Sequence, residues 1–280
     1  MAKVIKSRVG TVVQYSNLSE YYTQLDKPGI RGRDDSSQER DRGGWAGTDT
    51  YEDAEKLMYS GDEASYKKLV DLKSETDKYY IEEAGTKVKP FNDVVGYTPH
   101  VPNAILGLPQ SMINARREPK KHKVIDIFVN RSRAARTSTG QIEYEGALIL
   151  SFLDSLERDG FRVNLYVGKV SWHSGEAEVS GHMVPIKMAS DPLNVKKSAY
   201  YLVNPAFLRR TAFKIDENEL RLKDITHSGY GSVKNRDIMR QFLLEEVSDR
   251  LLIIDDSLDL DMHNSTEDNI NKLNKTFNKM

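Results

Sequence analysis

Asp255 and Asp256, with Asp259 and Asp261 close behind, form the best acidic cluster of the chain. Carboxylates at such spacing supply the hard oxygen ligands that Mg²⁺ takes; the same residues also suit a solvated turn into a helix. A basic counterpart runs through Arg116, Arg117, Lys120, Lys121, Lys123, Arg131, Arg133 and Arg136, opposed only by Glu118 and Asp126. Gathered on one surface, these residues would grip a phosphate backbone. The apolar run 124–129 divides them, and a six-residue strand spans about 20 Å. The half made of Arg131, Arg133 and Arg136 is therefore the candidate anion-binding group, placed at the start of a following helix. His100, His122, His173, His182, His227 and His263 form no HxH or HExxH pair. His173 and His182 fall on one expected hairpin, where they could meet, but a zinc site needs a third ligand. There is no GxSxG, no GxxxxGK[ST] and no GxGxxG after a strand. With no cysteine in the chain, thiolate metal sites, disulfides and cysteine nucleophiles are excluded.

The elements that must position these groups are legible from periodicity. Val124-Ile-Asp-Ile-Phe-Val129 is a short, β-branched, nearly continuous apolar run, as expected of a strand covered on both faces. A helix follows from about Thr139 to Arg158, with Tyr144, Ala147, Leu148, Phe152 and Leu156 on one broad face, and Gly160 ends it. Phe161 to Trp172 alternates as a strand, turns at His173-Ser-Gly-Glu, and returns from about Glu178 to Met188. Helical stretches near 194–203, 207–213 and 236–247, a strand at 250–255 and an exposed tail helix from Thr266 complete this half. Residues 216–234 read as loop. Strands alternating with helices predict an α/β fold: a mainly parallel sheet with helices on both faces. Ligands of such sheets sit beyond the carboxyl ends of the strands, here the loops starting at Asn130, Ala189 and Asp255.

Residues 1–123 read as a separate N-terminal region, and 124–280 as the α/β domain. Residues 29–44 hold charges and glycine with almost no apolar side chain, so they are expected to form a flexible loop. Thr50 and Asp53 start a helix that stops at Gly61; a second runs from about Asp62 to Ala84, with Leu69, Leu72, Thr76 and Tyr79 on one stripe. Pro90, Pro99, Pro102 and Pro109 predict irregular chain over 85–123, with short helical turns near Val101 and Pro109. The balance of 41 basic to 42 acidic residues gives a net charge of −1, which argues against a general polyanion coat. No apolar stretch has the roughly 18 residues of a membrane helix, and the first residues lack a signal peptide's apolar core. A mean hydropathy of −0.60 predicts long exposed loops beside the core.

The order of elements from Val124 resembles the von Willebrand factor A fold, a Rossmann-like architecture. In that family the first strand ends in a D-x-S-x-S metal motif. Asn130-Arg-Ser132-Arg-Ala134 occupies its place, with Ser132 matching, Asn130 replacing the aspartate and Ala134 the second serine. The resemblance puts Ser190 or Asp191 at the family's loop threonine, and Asp255 or Asp256 at its late aspartate. It thus implies a degenerate site that would hold Mg²⁺ weakly or take no cofactor at all. A second resemblance rests on Trp45-Ala-Gly-Thr-x-x-Tyr-x-Asp-Ala-x-x-Leu-x-x-x-Gly61, on Gly96 to Met112, and on Pro205-x-x-Leu-Arg-Arg210-x-x-Phe213. These look like an uncharacterised family of tailed-bacteriophage proteins.

Together these features favour a non-enzymatic phage accessory protein that binds a phage or host protein, or a second copy of itself, in the host cytoplasm. A metal-dependent enzyme acting on nucleotides or nucleic acid, with Asp255 and Asp256 as ligands and Arg131, Arg133 and Arg136 on phosphate, is the second reading. A virion component is the third. None of the three calls for a membrane.

Overall fold

β-branched alternation decides where the sheet forms, and the computed structural model describes it over residues 2–31, 33, 35–41, 43–76, 88–117, 123–173, 178–222 and 230–278. The chain opens with β1 (Lys3–Lys6), β2 (Gly10–Gln14) and α1 (Leu18–Leu25). Next come α2 (Tyr51–Ser60) and α3 (Glu63–Thr76), then β3 (Val88–Asp93), β4 (Thr98–Pro99), α4 (Val101–Ile105) and β5 (Met112–Arg117). The second half carries β6 (Val124–Asn130), α5 (Thr139–Arg158), β7 (Arg162–His173), β8 (Glu178–Lys187) and α6 (Val195–Leu202). A π-helical stretch, Phe207–Ala212, runs straight into α7 (Phe213–Asn218), and α8 (Arg236–Glu246), β9 (Leu251–Ile254) and α9 (Thr266–Phe277) follow.

Six strands make the main sheet, in the order β1-β2-β8-β7-β6-β9. β6 runs parallel to both β7 and β9, and β2 parallel to β8; β1–β2 and β7–β8 are antiparallel. The fold is α/β with a mostly parallel sheet, as expected. Neighbouring residues of β6 point to opposite faces. Ile127 and Val129 join the large core under α5 and α6, whereas Phe128 joins Val170, Ile253 and the α8 residues Met239, Phe242 and Leu243. Ser138 caps α5 by accepting from the Gln141 N–H, and Gly160 at φ 85° ends it. Gly146 is where α5 meets the end of α6: a Cβ there would lie 1.8 Å from the Leu202 carbonyl oxygen.

Several expectations are corrected. Residues 1–123 are not a region apart, because β1 and β2 extend the main sheet beside β8. The signal was weak: β1 is four residues long, and only Ile5 is buried. Residues 88–117 are not irregular but form a small sheet of order β3-β5-β4. Its prolines, Pro90 and Pro99, sit on the two outer strands, where a missing N–H is tolerated; the turn expected after Pro109 is replaced by β5. Residues 216–218 end α7 and are buried rather than looped. The tail helix α9 is docked, not exposed, with Ile270 and Leu273 in the main core and Phe277 edge-on to Phe152. The two helices expected over 49–84 are α2 and α3, both lying against α6. Tyr79, the far end of that second helix, the turn at 174–177, His122 and His227 lie outside the described residues.

Phe152 is 1% exposed on the core face of α5. Phe152→Ala is expected to cost roughly 3–5 kcal/mol in denaturant unfolding. A loss below about 1 kcal/mol would be incompatible with this packing.

Candidate functional site

At the carboxyl end of β6, the Asn130 amide behaves as an extra peptide group. Its Nδ2 donates to the Val170 carbonyl at 2.9 Å, and its Oδ1 accepts the N–H groups of Val170 and Ser132, each at 3.1 Å. Ser132 Oγ is 3.0 Å from Ser171 Oγ. The oxygens offered as metal ligands are thus spent on joining the ends of β6 and β7. Asp255 does follow β9 beside this point, but it caps the turn after it: it accepts from the Ser257 N–H at 3.0 Å and from Arg240 Nη1 at 2.9 Å. Arg236 Nη2 is 2.5 Å from Asp256 Oδ2. Burial raises the Asp256 carboxyl above its ordinary range, outweighing Arg236 and Arg133.

Ser190 and Asp191 do not join this group. β8 is antiparallel to β7, so its carboxyl end lies at the start of β6: the Ala189 N–H donates to Asn164, whose neighbour in β6 is Asp126. Four residues of β6 separate that level from Asn130, about 13 Å. Both residues are exposed there, hydrogen-bonded to each other at 3.0 Å. The degenerate von Willebrand-like ligand set is therefore split between opposite ends of the sheet. Arginines hold the two aspartates that remain, and the donor set does not fit Mg²⁺. Among the described residues, no three His, Asp or Glu side chains are grouped to hold a metal. His173 and His182 do not meet either, because across the hairpin they face Glu178 and Lys169.

The three arginines also part company. Arg136 is exposed. Arg133 Nε pairs with Glu145 at 2.7 Å, and its Nη1 bonds the carbonyls of Asn130 and Ser132 at 2.9 and 2.7 Å. Arg131 is fully buried, and among the described residues its guanidinium makes only a 3.3 Å bond to the Ile142 carbonyl; burial pushes it down to about 9, so it stays a cation at neutral pH.

A larger polar constellation lies around the π-helical stretch and α7. Arg209 bonds the Trp45 and Thr137 carbonyls, its guanidinium 4.3 Å from the centre of the Trp45 ring. Arg210 bonds the carbonyls of Ser37, Glu39, Thr48 and Asp49. Gly47 sits between at φ 82°, where a Cβ would lie 2.8 Å from Asn204 Oδ1. The Trp45 motif and the Arg209-Arg210 motif are thus two halves of one clamp. The same contacts correct the flexible loop expected over 29–44: its anchors are polar. Ser37 is fully buried against Glu217, and Arg33 bonds the carbonyls of Asp216, Glu219 and Leu222.

Beneath the clamp, Lys169 Nζ is 2.5 Å from Asp216 Oδ2, and His182 Nδ1 lies 3.7 Å from Asp216 Oδ1, beyond hydrogen-bonding distance. Tyr15 donates to Glu219 at 2.9 Å, and Tyr21 lies beside the imidazole. Burial pushes the Asp216 carboxyl up, but Lys169 and His182 outweigh it and hold the carboxyl below its ordinary range. Burial pushes the His182 imidazole below its ordinary range, against the pull of Asp216. All three side chains are buried, and Lys169 and Asp216 pair with one another.

Sequence reasoning also missed a quite different surface. Phe91 is exposed on β3, Val94, Val95 and Tyr97 in the turn from β3 to β4, and Val101, Ile105, Leu106 and Leu108 on and after α4. None of residues 90–115 is buried. Among the described residues, the hydrogen bonds of 88–115 stay within that unit. From Val94 to Ala115 there is no Asp, Glu, Lys or Arg, in a chain that is 30% charged. That uncharged run was the available signal; its prolines drew attention instead.

A family model spans nearly the whole chain, residues 5–279, under the description "Domain of unknown function (DUF7192)". The chain belongs to this family. The match runs through β1 and β2 as well as the second half, in keeping with a sheet built from both. No curated protein and no solved structure matches the chain. No helix among the described residues is long and apolar enough to cross a membrane.

Two measurements follow. Arg210→Ala removes four carbonyl contacts and should speed tryptic cleavage after Arg33 and Arg40 by roughly tenfold for each 1.4 kcal/mol of clamp lost; unchanged cleavage would mean the clamp does not hold this segment. His182 titrates in the folded chain below its unfolded value of about 6.5, so the unfolded chain takes up protons first as the pH falls. Its share of stability is whole above about pH 6.5 and is lost toward the folded value, about 1.4 kcal/mol per unit of separation. His182→Gln should therefore flatten the fall in Tm between about pH 7.5 and about pH 5.5. Asp216 acts in the same direction, but only below about 3.9. A variant with the wild-type profile would assign the effect elsewhere.

Proposed function

We propose that this protein is a non-enzymatic accessory protein that docks another protein through residues 88–117. One observation carries the reading: residues 90–115, none of them buried, present large apolar side chains, Ile105 at 80% and Val95 at 72% exposure, over a stretch without charge. Single exposed apolar residues are normal, but a contiguous set marks an interaction surface. The spent strand-end ligands and the closed Lys169–Asp216 pair support a binding role over a catalytic one. The resemblance to tailed-bacteriophage proteins supports a place among phage accessory proteins acting in the host cytoplasm. The order of elements from Val124 supports a degenerate von Willebrand A-like core.

A photo-crosslinking benzophenone residue placed at Ile105 of the full chain, in the cells that make it, should give a discrete protein adduct. The same residue at Leu220, 78% exposed but outside the unit, should give about tenfold less, the ratio expected for 1.4 kcal/mol of binding. Equal, diffuse labelling from both positions would sink the reading.

A further inference from the structure

We infer that Arg131 is the centre of an oxyanion site, its guanidinium taking two oxygens of a phosphate or carboxylate group beside the first turn of α5. The inference is independent of the docking surface above. Arg131 is 0% exposed, and among the described residues only its Nη2 has an acceptor, the Ile142 carbonyl at 3.3 Å. Its Nε and Nη1 have none, and both are out of water. Arg209 and Arg210 are buried too, but each bonds carbonyls through both Nη1 and Nη2. Buried donors without acceptors are uncommon in native proteins, and a bound ion or water is the usual account of one.

The shape of the fork selects the ligand. A guanidinium holds its N–H groups in one plane, with parallel pairs along the Nε–Nη2 edge and the Nη1–Nη2 edge. Ile142 takes one hydrogen of Nη2. Whichever it takes, one edge stays whole, and a whole edge binds two oxygens of one oxyanion side by side. A single-centre ion such as chloride cannot do this. Charge agrees. Arg133 and Arg209 act on Arg131 with like sign and Glu145 with opposite sign, but Glu145 is already held by Arg133 at 2.7 Å, and Asp41 acts on Arg209. The positive charge left over is that of Arg131. Because Nε and Nη1 are out of water, the oxyanion enters only as a neighbouring segment lifts. The loop 133–137 is suited to this: Ala135 and Arg136 are exposed, and its carbonyls are held by Trp45 Nε1 on Ala135 at 2.9 Å and by Arg209 Nη2 on Thr137 at 2.6 Å.

Isothermal titration of the full chain with inorganic phosphate, acetate and chloride at matched ionic strength tests this, with anomalous diffraction from crystals grown in selenate. Phosphate or acetate should bind saturably at about 1 mM or tighter, and chloride about tenfold more weakly or less. Phosphate without acetate assigns a phosphate group, and acetate without phosphate a carboxylate. Arg131→Met puts an apolar side chain of similar length in place of a buried charge, a change that folds often tolerate. It should weaken the oxyanion about tenfold or more, while Arg136→Ala, at an exposed arginine of the same loop, leaves it unchanged. Selenate should lie within hydrogen-bonding distance of the Arg131 guanidinium. No saturable binding, chloride bound as tightly as the oxyanions, equal binding by Arg131→Met, or a loss as large in Arg136→Ala would each overturn the site. Selenate confined to other arginines, an adventitious ion only, would overturn it as well, and that measurement stands even where Arg131→Met does not fold.

Discussion

Arg209 and Arg210 lie almost wholly out of water, and the rest of the structure is arranged around that constraint. A buried guanidinium is tolerated only where acceptors surround it. Backbone carbonyls of Trp45, Ser37, Glu39, Thr48, Asp49 and Thr137 supply them, so the loops before α2 and α5 are drawn to one place. The π-helical stretch turns these adjacent side chains toward the loops; such stretches are rare and concentrate at sites of special duty. Here the duty is assembly. Immediately after it, Asp216 meets Lys169 and His182, and Glu217 meets Ser37 and Tyr230. Removing one member of a buried pair leaves the other charged in a medium that cannot solvate it, a loss of about 3–5 kcal/mol.

The same accounting explains how the polar groups at the strand end are used. An Asn at the end of a parallel strand has two uses for its amide: it can face a ligand, or it can stand in for the next rung of the ladder. Asn130 takes the second, bonding both the N–H and the carbonyl of Val170. Asp255 likewise stabilises a turn, and Arg240 neutralises it. Polar side chains at the carboxyl edge of an α/β sheet are candidates for chemistry because that edge is where ligands bind, yet each must first satisfy the backbone that the strand leaves open.

Against this body, the unit at 88–117 stands out because none of residues 90–115 is buried. Among the described residues its hydrogen bonds stay within the unit, and each outer strand carries a proline. Its apolar side chains face solvent in a run without a single charge.

Periodicity made much of the second half legible. The apolar run 124–129, the broad face of α5, the β7–β8 hairpin, α8 and β9 all carry signals that arise within one element, and local signals survive being read one residue at a time. Short or polar elements did not announce themselves. β1 shows one buried residue, and β3 and β4 contain prolines that report only where an N–H is missing. The charges of α7 and of residues 29–44 look like solvated surface until their partners are known. Ser190 illustrates the limit: the order of elements put it beside Asn130, and the antiparallel run of β8 put it about 13 Å away. Burial of Arg210, the pairing of Lys169 with Asp216 and the anchoring of Ser37 each join residues far apart in the chain. A charge's environment is set by what folds around it, and that is decided only when the elements meet.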